Sequence, residues 1–112
     1  MSADAFVRRV VEVDGQDVPC RFFIPEADSG DFFCRLEVDW PEGTKSRRIY
    51  GVDEVQALLF AMQSAHTDLL VARENGGRDV SWLGQRKLGF PVADVIRDWD
   101  RDSDVGGSSQ DG

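Results

Sequence analysis

Residues 53–73 read DEVQALLFAMQSAHTDLLVAR, and their periodicity decides the fold. Val55, Leu58, Leu59, Met62, His66, Leu69 and Leu70 recur at three-and-four spacing, which places them on one helical face. Gln56, Gln63, Ser64, Thr67 and Asp68 take the flanks and the far side. Asp53 is a good N-cap, and Gln56 three residues on completes a capping-box pattern. Asn75-Gly76-Gly77 stops the helix, since glycine relieves the left-handed conformation at a C-terminus. Burying four or five of the aliphatic side chains at ~1.5–3 kcal/mol each stabilises the fold by roughly 10 kcal/mol gross, most of it offset by chain entropy.

The segment before the helix alternates with period two. From Phe6 to Val13, Val7, Val11 and Val13 share one parity and Phe6, Arg8, Val10 and Glu12 the other. Asp14-Gly15 is a hairpin signal. Val18, Cys20, Phe22 and Ile24 then alternate with Pro19, Arg21 and Phe23. Pro19 cannot donate to a ladder, so it belongs at a strand end or on an unpaired side. Pro25 to Gly30 has loop composition. Asp31 to Trp40 is the clearest strand, with Phe32, Cys34, Leu36, Val38 and Trp40 on one parity. Thr44 to Tyr50 is polar, basic and extended, fit for an edge strand. Beyond the helix, Val80 and Trp82 suggest a short strand, Leu88 and Phe90 anchor a loop, and Ala93 to Trp99 has helical spacing. We therefore expect an α+β fold: an antiparallel meander sheet of about four strands, one long helix packed on one face, then a short terminal strand or extended cover. Residues 1–99 form a single domain in this reading, and 100–112 a disordered acidic Gly/Ser/Asp tail.

Chemistry is sparse. His66, the sole histidine, sits on the apolar stripe with no supporting Ser, Cys or carboxylate at a useful spacing, so it reads as a packed core histidine. Should a pocket open between helix and sheet, His66, Arg35 and Arg73 are the residues to line it. Cys20 and Cys34 fall on neighbouring strands; with Cys34 opposite Phe22 they are diagonal neighbours, too far apart for a disulfide, and read as core thiols. Lys45, Arg47 and Arg48 with Tyr50 make the basic cluster, and Trp40 and Trp82 join them as interface candidates because tryptophan is common among binding anchors. Asp94, Asp98, Asp100, Asp102 and Asp104 alternate suggestively, but Arg101 stands among them and the glycine and closing glutamate of a calcium loop are missing. No metal ligands, catalytic residues or cofactor are expected.

The 112 residues carry a net charge of −8. That balance disfavours nucleic acid and anionic membranes as partners and suits solubility or a basic protein partner. No stretch approaches the ~20 apolar residues of a membrane span. The first residues show no basic region followed by an apolar run, so the expected compartment is the cytoplasm. Edge strands and aromatics permit a homodimer, and nothing specifies one.

The run Gly51-Val52-Asp53-Glu54-Val55-Gln56-Ala57-Leu58, followed by Trp82-Leu83-Gly84 and by Leu88-Gly89-Phe90-Pro91, resembles an uncharacterised bacterial family, the domain of unknown function numbered 6968. The resemblance covers roughly Phe6 to Val92. It implies a bacterial source and a strand-then-helix order, and carries over no catalytic residue. The expected function is a non-catalytic protein-binding module of immunity-protein or adaptor type. The rivals are a small-molecule or enzymatic domain with a helix–sheet pocket, and a nucleic-acid binder acting through Lys45, Arg47 and Arg48.

Overall fold

Six strands and one helix follow each other through residues 5–91, which a computed structural model describes. They are β1 (Val7–Val13), β2 (Gln16–Phe22), β3 (Glu26–Asp28), β4 (Asp31–Trp40), β5 (Gly43–Gly51), α1 (Glu54–Glu74) and β6 (Val80–Ser81). The helical turns expected over 93–99 and the tail from Asp100 lie outside the described residues. All pairings between neighbouring strands are antiparallel. Across the sheet the order is β5, β4, β2, β1, β6, and β3 lies beside the first residues of β4.

The sheet has six strands where the sequence suggests about four. The short terminal strand is β6, paired with β1. The unexpected one is β3, inside the segment Pro25–Gly30 that reads as loop. Ser29 and Gly30 both take positive φ, 54° and 94°, as do Asp14 and Gly15 in the first hairpin. This is the two-residue turn whose twist suits a tight hairpin, so Ser-Gly closes β3 onto β4 as Asp-Gly closes β1 onto β2. The extra hairpin also shifts the register. Cys20 faces Val38 and Phe22 faces Leu36, so Cys34 does not pair with Phe22 as expected and lies farther from Cys20. Both thiols are buried and free. Pro19 falls where β2 has no β4 partner, consistent with its missing donor.

Val11, Val13, Val18, Cys20, Phe22, Cys34, Leu36 and Val38 form the inner face of the sheet. Helix α1 crosses that face. Its cap is as the sequence suggests: the Gln56 amide donates to Asp53 Oδ1 at 2.8 Å, and Gln56 Oε1 accepts from the Val52 amide at 2.8 Å. At the other end Asn75 caps the helix, and Gly77 takes φ +65°.

The buried face of α1 differs from the expected one. Ala57, Ala61, Ala65, His66, Leu69, Leu70 and Arg73 are buried, whereas Val55 is 75% exposed and Leu58, Leu59 and Met62 are half-buried. The reason is close approach. Gly51, at the end of β5, lies so near the helix that a Cβ there would meet the Ala57 amide nitrogen at 2.5 Å. Only an alanine edge fits against the sheet at that separation, and the larger side chains turn to its margins. Gly51 is thus required for proximity rather than for a tight turn.

Residues 80–91 cover the open end of the core, with Leu88 and Phe90 buried. Gly51→Ala is expected to lower unfolding free energy by about 1–3 kcal/mol, because backbone must move. Asp53→Ala is expected to cost about 1 kcal/mol, the value of a lost cap. Urea denaturation of both variants checks the order; a Gly51→Ala variant as stable as the parent would remove the close-approach account.

Candidate functional site

Alternation along β5 sends its basic side chains to opposite faces of the sheet. Arg47 pairs with Leu36 and Lys45 with Val38, so both look toward α1. Arg48 pairs with Arg35 and points outward. The basic cluster read from the sequence is therefore two surfaces.

On the helix side, Lys45 and Arg47 join Trp40 at a groove of about 800 Å³ between β4–β5 and the second half of α1. Leu36, Val38, Trp40, Val71 and Ala72 give it an apolar floor. Charge supplies the rim. Arg47 Nη2 donates to Asp68 Oδ2 at 2.7 Å, an ion pair that spans the seam between β5 and α1. Beyond it lies a second hollow of about 340 Å³, shared by Ile49, Phe60 and Thr67. At the other end Arg78 donates to both Glu42 oxygens at 3.0 and 3.1 Å and to Asp14 Oδ2 at 2.9 Å. Its guanidinium also stands 5.7 Å from the Trp40 ring centre.

Burial raises the Asp68 carboxyl pKa above its ordinary value, and Arg47 only partly opposes this. Hydrogen bonds lower those of Asp14 and Glu42: from the Asp79 amide and Arg78 for Asp14, and from Glu42's own amide and Arg78 for Glu42. The groove thus holds one half-buried carboxylate that resists ionisation, Asp68, and at its other end one arginine, Arg78, that favours ionisation of Asp14 and Glu42.

The remaining sequence candidates lie elsewhere. Tyr50 donates to Asp28 Oδ2 at 2.9 Å and packs 5.7 Å from Phe33 on the outer face. Trp82 lies beneath Arg9, whose guanidinium is 3.8 Å from the ring centre. Arg35 also sits on the outer face, 4.1 Å over Phe23. His66 and Arg73, named for a pocket, line neither hollow: they hold the covering segment. Arg73 Nη2 donates to the carbonyls of Val80 at 2.6 Å and Arg86 at 2.8 Å. His66 is fully buried, 5.9 Å from the Phe90 ring, with Nδ1 3.3 Å from the Pro91 carbonyl. A carbonyl only accepts, so this bond has the proton on Nδ1. Arg9 completes the set, donating to the Leu88 carbonyl at 2.8 Å.

Asp68, Arg78 and Glu42 are groove residues that sequence reasoning missed. The i, i+4 helical pattern does mark Asp68 as off the apolar stripe, but its partner comes from 21 residues away. Among the described residues no group of three or more His, Cys, Asp and Glu side chains could hold a metal ion. No helix among them is long and apolar enough to cross a membrane.

Two measurements check the electrostatics. A carboxyl whose folded pKa is raised binds its proton first in the folded state, so its burden on stability is full above that pKa and fades as the pH falls through it. Asp68→Asn is therefore expected to be at least as stable as the parent at neutral pH, with the difference closing on acidification; urea midpoints across pH read this, and a variant less stable at neutral pH would refute it. Burial pushes the Cys20 thiol up to about 12 and raises Cys34, whose Sγ donates to the Phe23 carbonyl at 3.3 Å. Native protein should resist iodoacetamide near pH ~8, where an ordinary thiol reacts, and gain two adducts by mass spectrometry only after unfolding.

No curated protein and no solved structure matches the chain. A family model does, over residues 7–92, from the start of β1 to the end of the covering segment. The match takes in both walls of the groove and the clamp formed by Arg9, His66 and Arg73, and by it the chain belongs to the family described as domain of unknown function DUF6968.

Proposed function

We propose that the protein is a non-catalytic bacterial protein-binding module, of adaptor or immunity type, that takes its partner in the groove between α1 and β5. The observation that carries this reading is the groove's make-up: an apolar floor with Trp40, bordered by Lys45, Arg47, Asp68 and Arg78. An apolar centre inside a polar rim is how protein interfaces are built, with tryptophan and arginine enriched among their anchors. His66, Arg35 and Arg73, the side chains best suited to chemistry, all lie outside it. Two buried, free cysteines suit a reducing compartment, and we place the protein in the cytoplasm.

One observation favours a second reading. The groove volume, about 800 Å³, falls in the range of small-molecule sites, roughly 300–1,000 Å³. A small-molecule ligand would use the same walls.

Val71→Arg separates these readings. Val71 lines the groove, is 38% exposed and sits on the helix, where arginine is well tolerated. The expected result is that a protein captured from the source organism by the parent binds Val71→Arg and Lys45→Glu at least about tenfold more weakly in calorimetry, a loss of ~1.4 kcal/mol. If every protein the parent retains is retained equally by both variants, while a metabolite library yields a ligand displaced by Val71→Arg, the small-molecule reading takes its place.

A further inference from the structure

Strand β5 ends the sheet on its side: among the described residues it pairs with β4 alone. The two-residue turn at Pro41-Glu42 makes Trp40 and Gly43 a hydrogen-bonded pair, and such pairs recur at every second residue. Lys45, Arg47 and Ile49 therefore spend their backbone groups on β4. Thr44, Ser46, Arg48 and Tyr50 point theirs the other way. The far side of β4 gives the same phase independently. The Phe23 amide donates to the Arg35 carbonyl at 3.1 Å, so the Arg35 backbone faces away from β5, and its partner Arg48 faces away from β4. No backbone hydrogen bond among the described residues reaches this outward row, and its four residues are exposed. From Thr44 to Tyr50 the row runs roughly 20 Å, at ~3.4 Å per residue. It holds no proline, and every residue from Gly43 to Gly51 keeps its β4 partner, so no bulge interrupts it.

The helix side of this edge is hollow rather than flat. Phe60, Ser64 and Thr67 of α1 enclose, with Arg47 and Ile49 of β5, a space of about 340 Å³. Phe60 is 37% exposed and Ile49 half-buried, so apolar surface stays open there. A strand laid along β5 turns every second side chain toward the helix side, and one set opposite Ile49 enters this space beside Phe60.

We infer that the open edge of β5 takes an extended segment of a partner protein as a further strand, with one apolar side chain of that segment in the hollow beside Phe60. The backbone decides the kind of ligand: N–H and C=O groups at two-residue spacing are matched by another extended backbone, and pockets for alternate side chains add sequence preference. Charge removes two other occupants. Strand β5 carries Lys45, Arg47 and Arg48 and no carboxylate. Acids around it stand behind the edge: Asp68, Asp39 and Asp28 accept from Arg47, Thr44 and Tyr50, and Glu37 lies opposite Ser46 in β4. In a two-fold pairing of β5 with its copy, each of the longest registers sets like charges opposite: Arg47 on Arg47, Lys45 on Arg47, or Arg48 on Arg48. A basic segment meets the same repulsion. Such charges keep an edge strand from its own copies and leave a segment free of lysine and arginine unhindered. The edge shares with the groove only the idea of a protein partner, and each can bind without the other.

The probe is a peptide selected on the full-length protein from a displayed library of random peptides of about twelve residues, enough to run the length of β5. Bound peptide is expected to slow hydrogen exchange at the amides of Thr44, Ser46, Arg48 and Tyr50 and not at those of Lys45, Arg47 and Ile49, which already bond to β4. Arg48→Pro removes one outward N–H where an edge strand tolerates proline. It should weaken binding at least about tenfold, and more than Arg48→Gln, which loses the charge but keeps the N–H. Phe60→Gln should weaken it too, and Val71→Arg in the groove should leave it unchanged. If circular dichroism shows Arg48→Pro to be unfolded, N-methylation of alternate peptide amides takes its place: one parity should abolish binding and the other spare it. Failure to select any peptide overturns the proposal, as does binding indifferent to Arg48→Pro or to N-methylation at both parities. Binding lost in Val71→Arg alone also overturns it and leaves the groove as the site. Alternating protection along β5 in the free protein overturns it as well, because the edge is then taken by a second copy, seen as a dimer in sedimentation, or by the chain itself, seen as a monomer.

Discussion

Strand β5 ends on a glycine because the next element runs back across it almost in backbone contact. At Gly51 there is no room for a methyl group before Ala57, and the sides of α1 follow from that single distance. Alanines at 57, 61 and 65 take the edge against the sheet, and the larger aliphatics are pushed to the margins. At the other end of the same pair of elements the walls stand apart and enclose the groove beside Val71 and Ala72. Contact at one end and separation at the other are two aspects of one helix placement, fixed where Asp53 caps the first turn.

The open end of the core poses a different problem, solved with polar side chains. Residues 80–91 form little regular structure, so their carbonyls need partners. Arg73 from the helix and Arg9 from β1 donate to three of them, and His66 approaches a fourth. His66 and Arg73, which look chemical in sequence, thereby become fasteners for the cover, with Arg9 as the third. Phe90, fixed by this arrangement, packs edge-on to Phe22 at 6.1 Å and completes the core.

Period-two alternation governs the surfaces. It turns Lys45 and Arg47 toward the helix and Arg48 away from it, so one basic run serves two faces of different character. The groove is apolar with a charged rim; the outer face mixes arginines with carboxylates such as Glu37 and Asp39. Each strand's parity was legible from its own residues, and the division of the run between faces could have been read from it. The register of β2 against β4 could not. It depends on the Ser29-Gly30 turn, which inserts β3 between them in sequence and is weakly marked among the polar residues of a loop-like segment.

Sequence alone determined the elements whose signals are local: the alternating strands, the Asp-Gly hairpin, the Asp53–Gln56 cap and the Asn75-Gly76-Gly77 stop. These rest on hydrogen bonds and backbone preferences within a few residues, so they need no knowledge of the rest of the chain. Tertiary structure decided which face of α1 is buried, because that depends on how closely a glycine lets the helix approach. It decided the partners of His66 and Arg73, which lie on a segment beyond the helix. It also decided that Asp68 meets Arg47, since that pair joins helix to strand across a chain separation that carries no period. The fold was thus legible where interactions are local, and the groove was not, because it is assembled from strands and helix at once.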